Sequence, residues 1–322
     1  MPNDYQLVQL ANGAKTLFSS SYGEKMHPGP GPQAEAELLY VRQLKIRERL
    51  RNHSGEFVIW DVGLGAAANA IAALRATREI PGQLRLVSFD NTTEPLKFAL
   101  KNAAALGYLA GYENQITKLL EVGTAQRGVP ANSQCVEFQI GKLKVDWEFQ
   151  IGDFPALLES RAGVPPAQRA RQREQEAASL SPGAGRRDAR PALPAPHAIF
   201  YDAFSPAKNP AMWTLPLFGN LFQALDPARP CALTTYSRST MIRATLLLAG
   251  FFVGVGHATG LKEETTVVAN TLDLIAEPLD SRWLERTCRS HSAEPLREPV
   301  YSRAPPSPPT LEKMRRHPQF QL

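Results

Sequence analysis

Four carboxylates stand where apolar runs stop, and that placement is what could do chemistry. Asp61 closes FVIWD and is followed by Gly63 and Gly65; Asp90 closes LRLVSFD; Asp153 follows FQIG; Asp202 closes AIFYD and opens DAFSPAKNPAMW. Gly63 and Gly65 permit a tight turn after which a helix can aim its free N–H groups at a carboxylate or phosphate. Asp90, at the end of the next strand, is placed to accept both hydroxyls of a ribose, and Asp153 to take an adenine amino group. Each signal also has a plainer reading. Strand-end acids cap helices, and residues 63–68 fit a loose G-x-G-x-x-A dinucleotide loop as well. After Asp202, Pro206 and Pro210 stiffen a loop that also carries Phe204, Lys208, Asn209 and Trp213, either to frame a substrate or as ordinary core and surface residues.

Such residues need a scaffold that gathers strand ends. FVIWDVGL (57–64), LRLVSFD (84–90), AIFYDAF (198–204) and CALTTY (231–236) are near-continuous apolar strands separated by helical segments such as AANAIAALRATRE and TLPLFGNLFQAL. CVEFQIGKLKVDWEFQIGD reads as a hairpin, and FFVGVGHA with TTVVANT as a closing antiparallel pair. Strands this apolar predict an α/β fold whose mostly parallel sheet is covered on both faces, with ligands at the carboxyl ends of the strands. Residues 1–52 predict a hairpin, a Gly/Pro loop (HPGPGP) and one helix from Gln33 to Arg51, ahead of a main domain at 53–276.

The chain has 322 residues, 43% of them hydrophobic, and a net charge of +5. No apolar run reaches the roughly 20 residues of a membrane helix, and MPNDYQLVQL lacks the basic and apolar regions of a signal peptide, so a cytoplasmic protein is expected. Cys135, Cys231 and Cys288 are odd in number and far apart, which supports neither a disulfide framework nor a zinc site. Arg161, Arg169, Arg171, Arg173, Arg186, Arg187 and Arg190 concentrate in 161–196, where large apolar residues are few; a disordered basic insert is expected there, and a flexible Pro-rich tail at 277–322.

The twelve residues DAFSPAKNPAMW resemble, in unbroken register, a motif of the methyltransferase domain of the MnmC family, which completes 5-methylaminomethyl-2-thiouridine at the tRNA wobble position. TLFSSSYGEKMHPGPGPQAEAELLYV is similar to that family's opening segment at Tyr22, Gly23, Glu35 and Tyr40; DVGLGAAAN stands where its cofactor loop would be, and GLKEE near its later signature. The likeness spans about 7–276 without the basic insert. It departs at Ala67, where the loop's third glycine would stand, at Glu263, where the signature has arginine, and around HPGPGP. The resemblance implies a class I, Rossmann-like methyltransferase with a seven-stranded sheet and C-terminal antiparallel hairpin. It implies S-adenosyl-L-methionine as cofactor, without FAD or metal, bound by Glu35, Asp61, Gly63, Gly65, Asn69, Asp90, Asp153 and Asp202. Asp202 would be catalytic, and Phe204, Pro206, Lys208, Asn209, Trp213 and Lys262 would hold substrate. The partner implied is the tRNA anticodon loop, with no obligate protein partner, and the form implied is a methyltransferase without the family's flavin-dependent domain. An N-methyltransferase for another amine, a non-catalytic RNA-binding relative and a dinucleotide oxidoreductase are the competing readings.

Overall fold

The computed structural model describes residues 4–121, 133–162, 193–259 and 263–321. A three-stranded antiparallel sheet opens the chain: β1 (Tyr5–Gln9), β2 (Lys15–Ser19) and β3 (Glu24–Lys25). The expected single helix at 33–51 is instead three pieces, α1 (Pro32–Ala36), a π-helical turn at Glu37–Arg42, and α2 (Ile46–Arg51). Lys45 breaks the run with a left-handed φ of 51°, and Glu37 gathers Arg42 at 3.1 Å and Arg47 at 2.7 Å across the break. Apolar spacing could not register the wider turn, because a π turn and an α turn bury nearly the same residues.

The main sheet alternates with helices. In order come β4 (Glu56–Val62), α3 (Ala68–Thr77), β5 (Gly82–Asp90), then α4 (Glu94–Lys101), α5 (Ala103–Leu106) and α6 (Glu113–Glu121). The hairpin β6 (Ser133–Ile140) and β7 (Leu143–Ile151) leads to α7 (Phe154–Ala162) and β8 (Ala198–Tyr201). α8 (Leu215–Ala224), β9 (Ala232–Thr235), α9 (Thr240–Leu248), β10 (Phe252–Gly256) and β11 (Thr265–Ala269) complete it. The strand order is β10-β11-β9-β8-β4-β5-β7-β6. β4, β5, β7, β8 and β9 are parallel, and β11 is antiparallel to both its neighbours. Among the described residues the main sheet has eight strands rather than the expected seven, because both arms of the 133–151 hairpin join it, β6 lying antiparallel outside β7.

Continuous apolar strands are explained by burial on both faces. In β4, Phe57 and Ile59 enter one core cluster while Val58, Trp60 and Val62 enter the other; Leu84 and Leu86 against Val87 and Phe89 do the same in β5. The parallel strands therefore deliver Asp61, Asp90 and Asp202 to one edge of the sheet, with Asp153 just beyond β7.

The tail expectation is corrected. Residues from Glu277 onward pack as α10 (Ser281–Cys288) and α11 (Pro308–Arg315), and Leu279, Trp283, Leu284, Leu296 and Met314 belong to the second core cluster. The Gln319 amide closes the sheet edge, accepting from Val253 N at 2.7 Å and donating to Val253 O and Leu279 O at 2.8 Å each. Proline content misled because Pro308 and Pro309 start a helix rather than prevent one: Pro308 follows Ser307, whose hydroxyl caps α11. Of the basic insert, residues 163–192 lie outside the described residues, as does Lys262. The three cysteines are unpaired thiols.

Candidate active site

The turn after β4 is held from both sides. Gly63 N and Leu64 N donate to Phe89 O at 2.9 and 3.0 Å, and Gly65 N donates to the Asp90 carboxylate at 2.8 Å. Gly63 has φ 91°, and a Cβ there would lie 2.8 Å from Asp202 O, so no side chain fits between the two strand ends. Ala67 adopts φ 61° and starts α3, taking in left-handed form the position where a glycine would be unstrained. Asp90 thus has two roles, shaping this loop through one oxygen and lining the cavity above it. Burial pushes Asp90 up to about 6, against the hydrogen bonds from Gly65, Thr92 and Asn91 that pull it down.

Asp61 does not line the cavity. It is 0% exposed, accepts from Ser88 Oγ at 3.1 Å, and burial followed by the Asp202 and Asp90 charges raises it to about 7 despite that hydrogen bond. Asn69 also stays off the cavity wall, and its amide donates to Asp202 Oδ2 at 2.8 Å. These two expected cofactor ligands are supports beneath the site rather than its surface.

Asp202 leaves β8 with its N–H on Val62 O at 2.9 Å and lines the cavity. Around its carboxylate stand Asn69 and His27, whose Nε2 is 3.5 Å from Oδ2. Tyr40 donates to Tyr201 O at 3.3 Å, and burial, then the charge and hydrogen bond of Asp202, hold that phenol far above its ordinary value. The loop beyond is pinned by the N-terminal sheet: Ser205 donates its N–H to Glu24 Oε2 at 3.1 Å and its hydroxyl to Glu24 Oε1. Ser205 O in turn accepts from Lys208 N and Asn209 N at 2.9 and 2.8 Å. Phe204 stacks on Tyr22, centroids 4.0 Å apart and 16° from parallel, and both rings line the cavity, as does Asn209.

Trp213 corrects another expectation. It is 0% exposed, donates Nε1–H to Phe204 O at 2.7 Å and packs edge-on to Tyr201, so it braces the loop from the core and offers no face to a substrate. Pro206 and Lys208 do not line the cavity; Lys208 is exposed, with its ammonium beside Gly23. Asp153 is exposed on the cavity wall and caps α7, accepting from Ala156 N at 3.2 Å, while Glu35 lines the wall at 5% exposure. Glu24 and His27, which composition and spacing gave no reason to select, are brought in by the hairpin and the HPGPGP loop. The one available signal was a polar GEKMH stretch directly before a rigid turn.

The cavity encloses about 750 Å³, within the range of small-molecule sites. Its described lining carries seven carboxylates, Asp4, Glu24, Glu35, Asp90, Glu94, Asp153 and Asp202, against Lys25 and His27. A site so acidic favours a cation. Among the described residues no His, Cys, Asp or Glu cluster is placed to hold a metal, and no helix is long and apolar enough to cross a membrane.

Residues 187–271 match a family model described as S-adenosyl-L-methionine-dependent methyltransferase. The chain is 28% identical over 265 residues to the tRNA 5-methylaminomethyl-2-thiouridine biosynthesis bifunctional protein MnmC of Aeromonas hydrophila, covering 79% of this chain and 34% of that protein. To the protein of the same name from Burkholderia mallei it is 26% identical over 242 residues, covering 73% and 31%. The chain thus spans about a third of the length of the curated relatives it matches. Among solved structures, MnmC2 from Aquifex aeolicus has a TM-score of 0.58 at 21% identity, covering 96% of this chain and 82% of that one, a likeness of fold. With parallel strand ends gathering Asp90, Asp202 and a glycine turn on one cavity, the chain has the class I methyltransferase fold, matches the S-adenosyl-L-methionine-dependent methyltransferase family over residues 187–271, and is similar to MnmC proteins over the part it spans.

Proposed function

We propose that this chain methylates the 5-aminomethyl group of 5-aminomethyl-2-thiouridine at the tRNA wobble position, in the cytoplasm, with S-adenosyl-L-methionine as cofactor. The carrying observation is the DAFSPAKNPAMW loop, which sets Asp202 on the wall of an acidic cavity beside the Gly63–Gly65 turn. The residues present fit that cofactor. Asp90 is available at a strand end for ribose hydroxyls, Asp153 stands on the wall for the adenine amino group, the N-terminus of α3 follows the glycine turn, and Glu35 with the other carboxylates suits a ligand bearing ammonium and sulfonium charge. When bound, S-adenosyl-L-methionine supplies an electrophilic methyl group. The protein's own residues then have to present an amine lone pair in line with it, so alignment carries much of the catalysis.

Asp202 is the residue for that task. Its carboxylate accepts an N–H of the amine, aims the lone pair, and stabilises positive charge growing on nitrogen; Asn69 keeps the carboxylate in place. The Tyr22–Phe204 pair offers an aromatic wall for the uracil ring. An unpaired anticodon loop needs little unstacking to present its wobble base, and exposed Lys208 is suited to a phosphate contact that adds affinity without reading sequence. Mass spectrometry of wobble nucleosides from a strain lacking the gene tests the reading: accumulation of 5-aminomethyl-2-thiouridine is expected. An unchanged nucleoside profile would remove the tRNA substrate and leave another amine as acceptor.

A further inference from the structure

We propose that His27 is the proton-accepting partner of Asp202, the group that takes the proton an ammonium substrate must lose before it can act as a nucleophile. The proposal rests on the amine-methylation reading above. Three observations carry it. His27 Nε2 lies 3.5 Å from Asp202 Oδ2, with the imidazole side chain only 9% exposed. The ring lines the same cavity as Asp202 and Glu35. The His27 backbone is held at φ 51°, a left-handed conformation that costs a non-glycine residue energy and that here brings its ring to the carboxylate.

The chemistry calls for such a group. A carboxylate beside an amine favours the protonated, non-nucleophilic ammonium, and with an ordinary pKa of about 4 it is a poor holder of the amine's proton. An imidazole, titrating between carboxylate and amine, is the better acceptor near neutral pH. In the step proposed, the ammonium R–CH2–NH3+ hydrogen-bonds to Asp202; one N–H bond breaks, its electron pair stays on nitrogen, and the proton passes at the carboxylate to Nε2 of neutral His27. The positive charge moves from nitrogen to an imidazolium paired with the Asp202 carboxylate, and leaves with the proton through the cavity mouth. Titratable groups that share the cavity wall with the ring include Glu24 and Lys25 on β3, Glu35 on α1, Asp90 at the end of β5, Asp202 itself and Tyr236 after β9, with Asp4, Tyr5, Tyr22, Glu94 and Asp153 elsewhere on the wall, so carboxylates outnumber the one lysine.

The test has two arms. Asparagine tolerates left-handed backbone, so His27→Asn spares the loop. On tRNA carrying 5-aminomethyl-2-thiouridine, His27→Asn should lower the single-turnover rate on the order of 10²-fold near pH 7, with the defect shrinking as pH approaches the amine's own range of about 10. In the second arm, the cofactor-free chain is labelled with 15N in its imidazoles; at about pH 8.5, where a free imidazole is neutral, Asp202→Asn should displace the His27 Nε2 signal, because the carboxylate beside it becomes a neutral amide. A defect of the same size at every pH, together with His27 signals that ignore Asp202→Asn, would overturn the proposal. If the wild-type chain leaves that tRNA unmethylated, the tRNA reading fails by itself and the 15N arm decides alone: displaced signals uphold the pairing, unmoved signals remove it.

Discussion

Asp202 is both cavity wall and end-stop of β8, and the two roles separate experimentally. Asn is as good a turn former as Asp, so Asp202→Asn should preserve the loop and bind S-adenosyl-L-methionine within a few-fold of wild type, while the single-turnover methylation rate drops by about 10² to 10⁴. A near-normal rate in rapid-quench measurements would move the chemistry off this residue. Asp61 makes a different prediction. Its folded value near 7 lies above the ordinary 3.8, so the stability tied to its protonated form is complete at acid pH and is lost as pH rises through 7. Asp61→Asn cannot ionise; relative to wild type it should gain roughly 2 to 3 kcal/mol between pH 5 and pH 7.5, read by denaturant melts at each pH. A gap that does not change with pH would contradict burial of an ionisable Asp61. All four strand-end acids were legible in sequence because an apolar run that stops at an acid is a pattern of two adjacent residues. That Asp61 and Asn69 sit beneath the cavity was not, since only tertiary depth distinguishes a ligand from the side chain that supports it.

At the scale of elements, parallel strands buried on both faces leave long apolar runs, which is why β4, β5, β8 and β9 could be found from sequence. The π turn at Glu37–Arg42 and the tail could not, because one changes pitch without changing hydrophobic content and the other docks through a few residues scattered among prolines. The tail's packing predicts that Trp283→Ala costs about 3 to 5 kcal/mol in denaturant unfolding, the usual range for emptying a buried tryptophan site. A loosely attached tail would show almost no change. In the turn after β4, Ala67→Gly relieves a left-handed alanine and should raise stability by up to about 1 kcal/mol, net of the extra freedom glycine gains when unfolded. A lower melting temperature for that variant would show that the Ala67 methyl packs better than its backbone strain costs.

Across the whole molecule, the sheet supplies the floor of the cavity, the N-terminal strands and HPGPGP loop supply its cover, and the acidic lining selects for positive charge. The purified chain should therefore bind S-adenosyl-L-methionine and its demethylated product and not NAD, and Asp90→Ala should weaken that binding by about 1.5 to 3 kcal/mol, the range for hydrogen bonds to a charged group. On the proposed ribose contact Asp90 accepts two hydroxyls as a carboxylate, and burial raises it to about 6, so affinity in calorimetry should fall as pH drops below that value. Equal affinity for Asp90→Ala would reassign the ribose contact. The most direct measurement of the central claim combines cofactor, acceptor and position in one tube: the purified chain, S-adenosyl-L-methionine, and tRNA whose wobble base is 5-aminomethyl-2-thiouridine, digested and followed by mass spectrometry. The account predicts conversion of that nucleoside to its 5-methylaminomethyl form, with all other nucleosides unchanged. A wobble nucleoside that gains no methyl group, in a sample where calorimetry shows the cofactor bound, would contradict it.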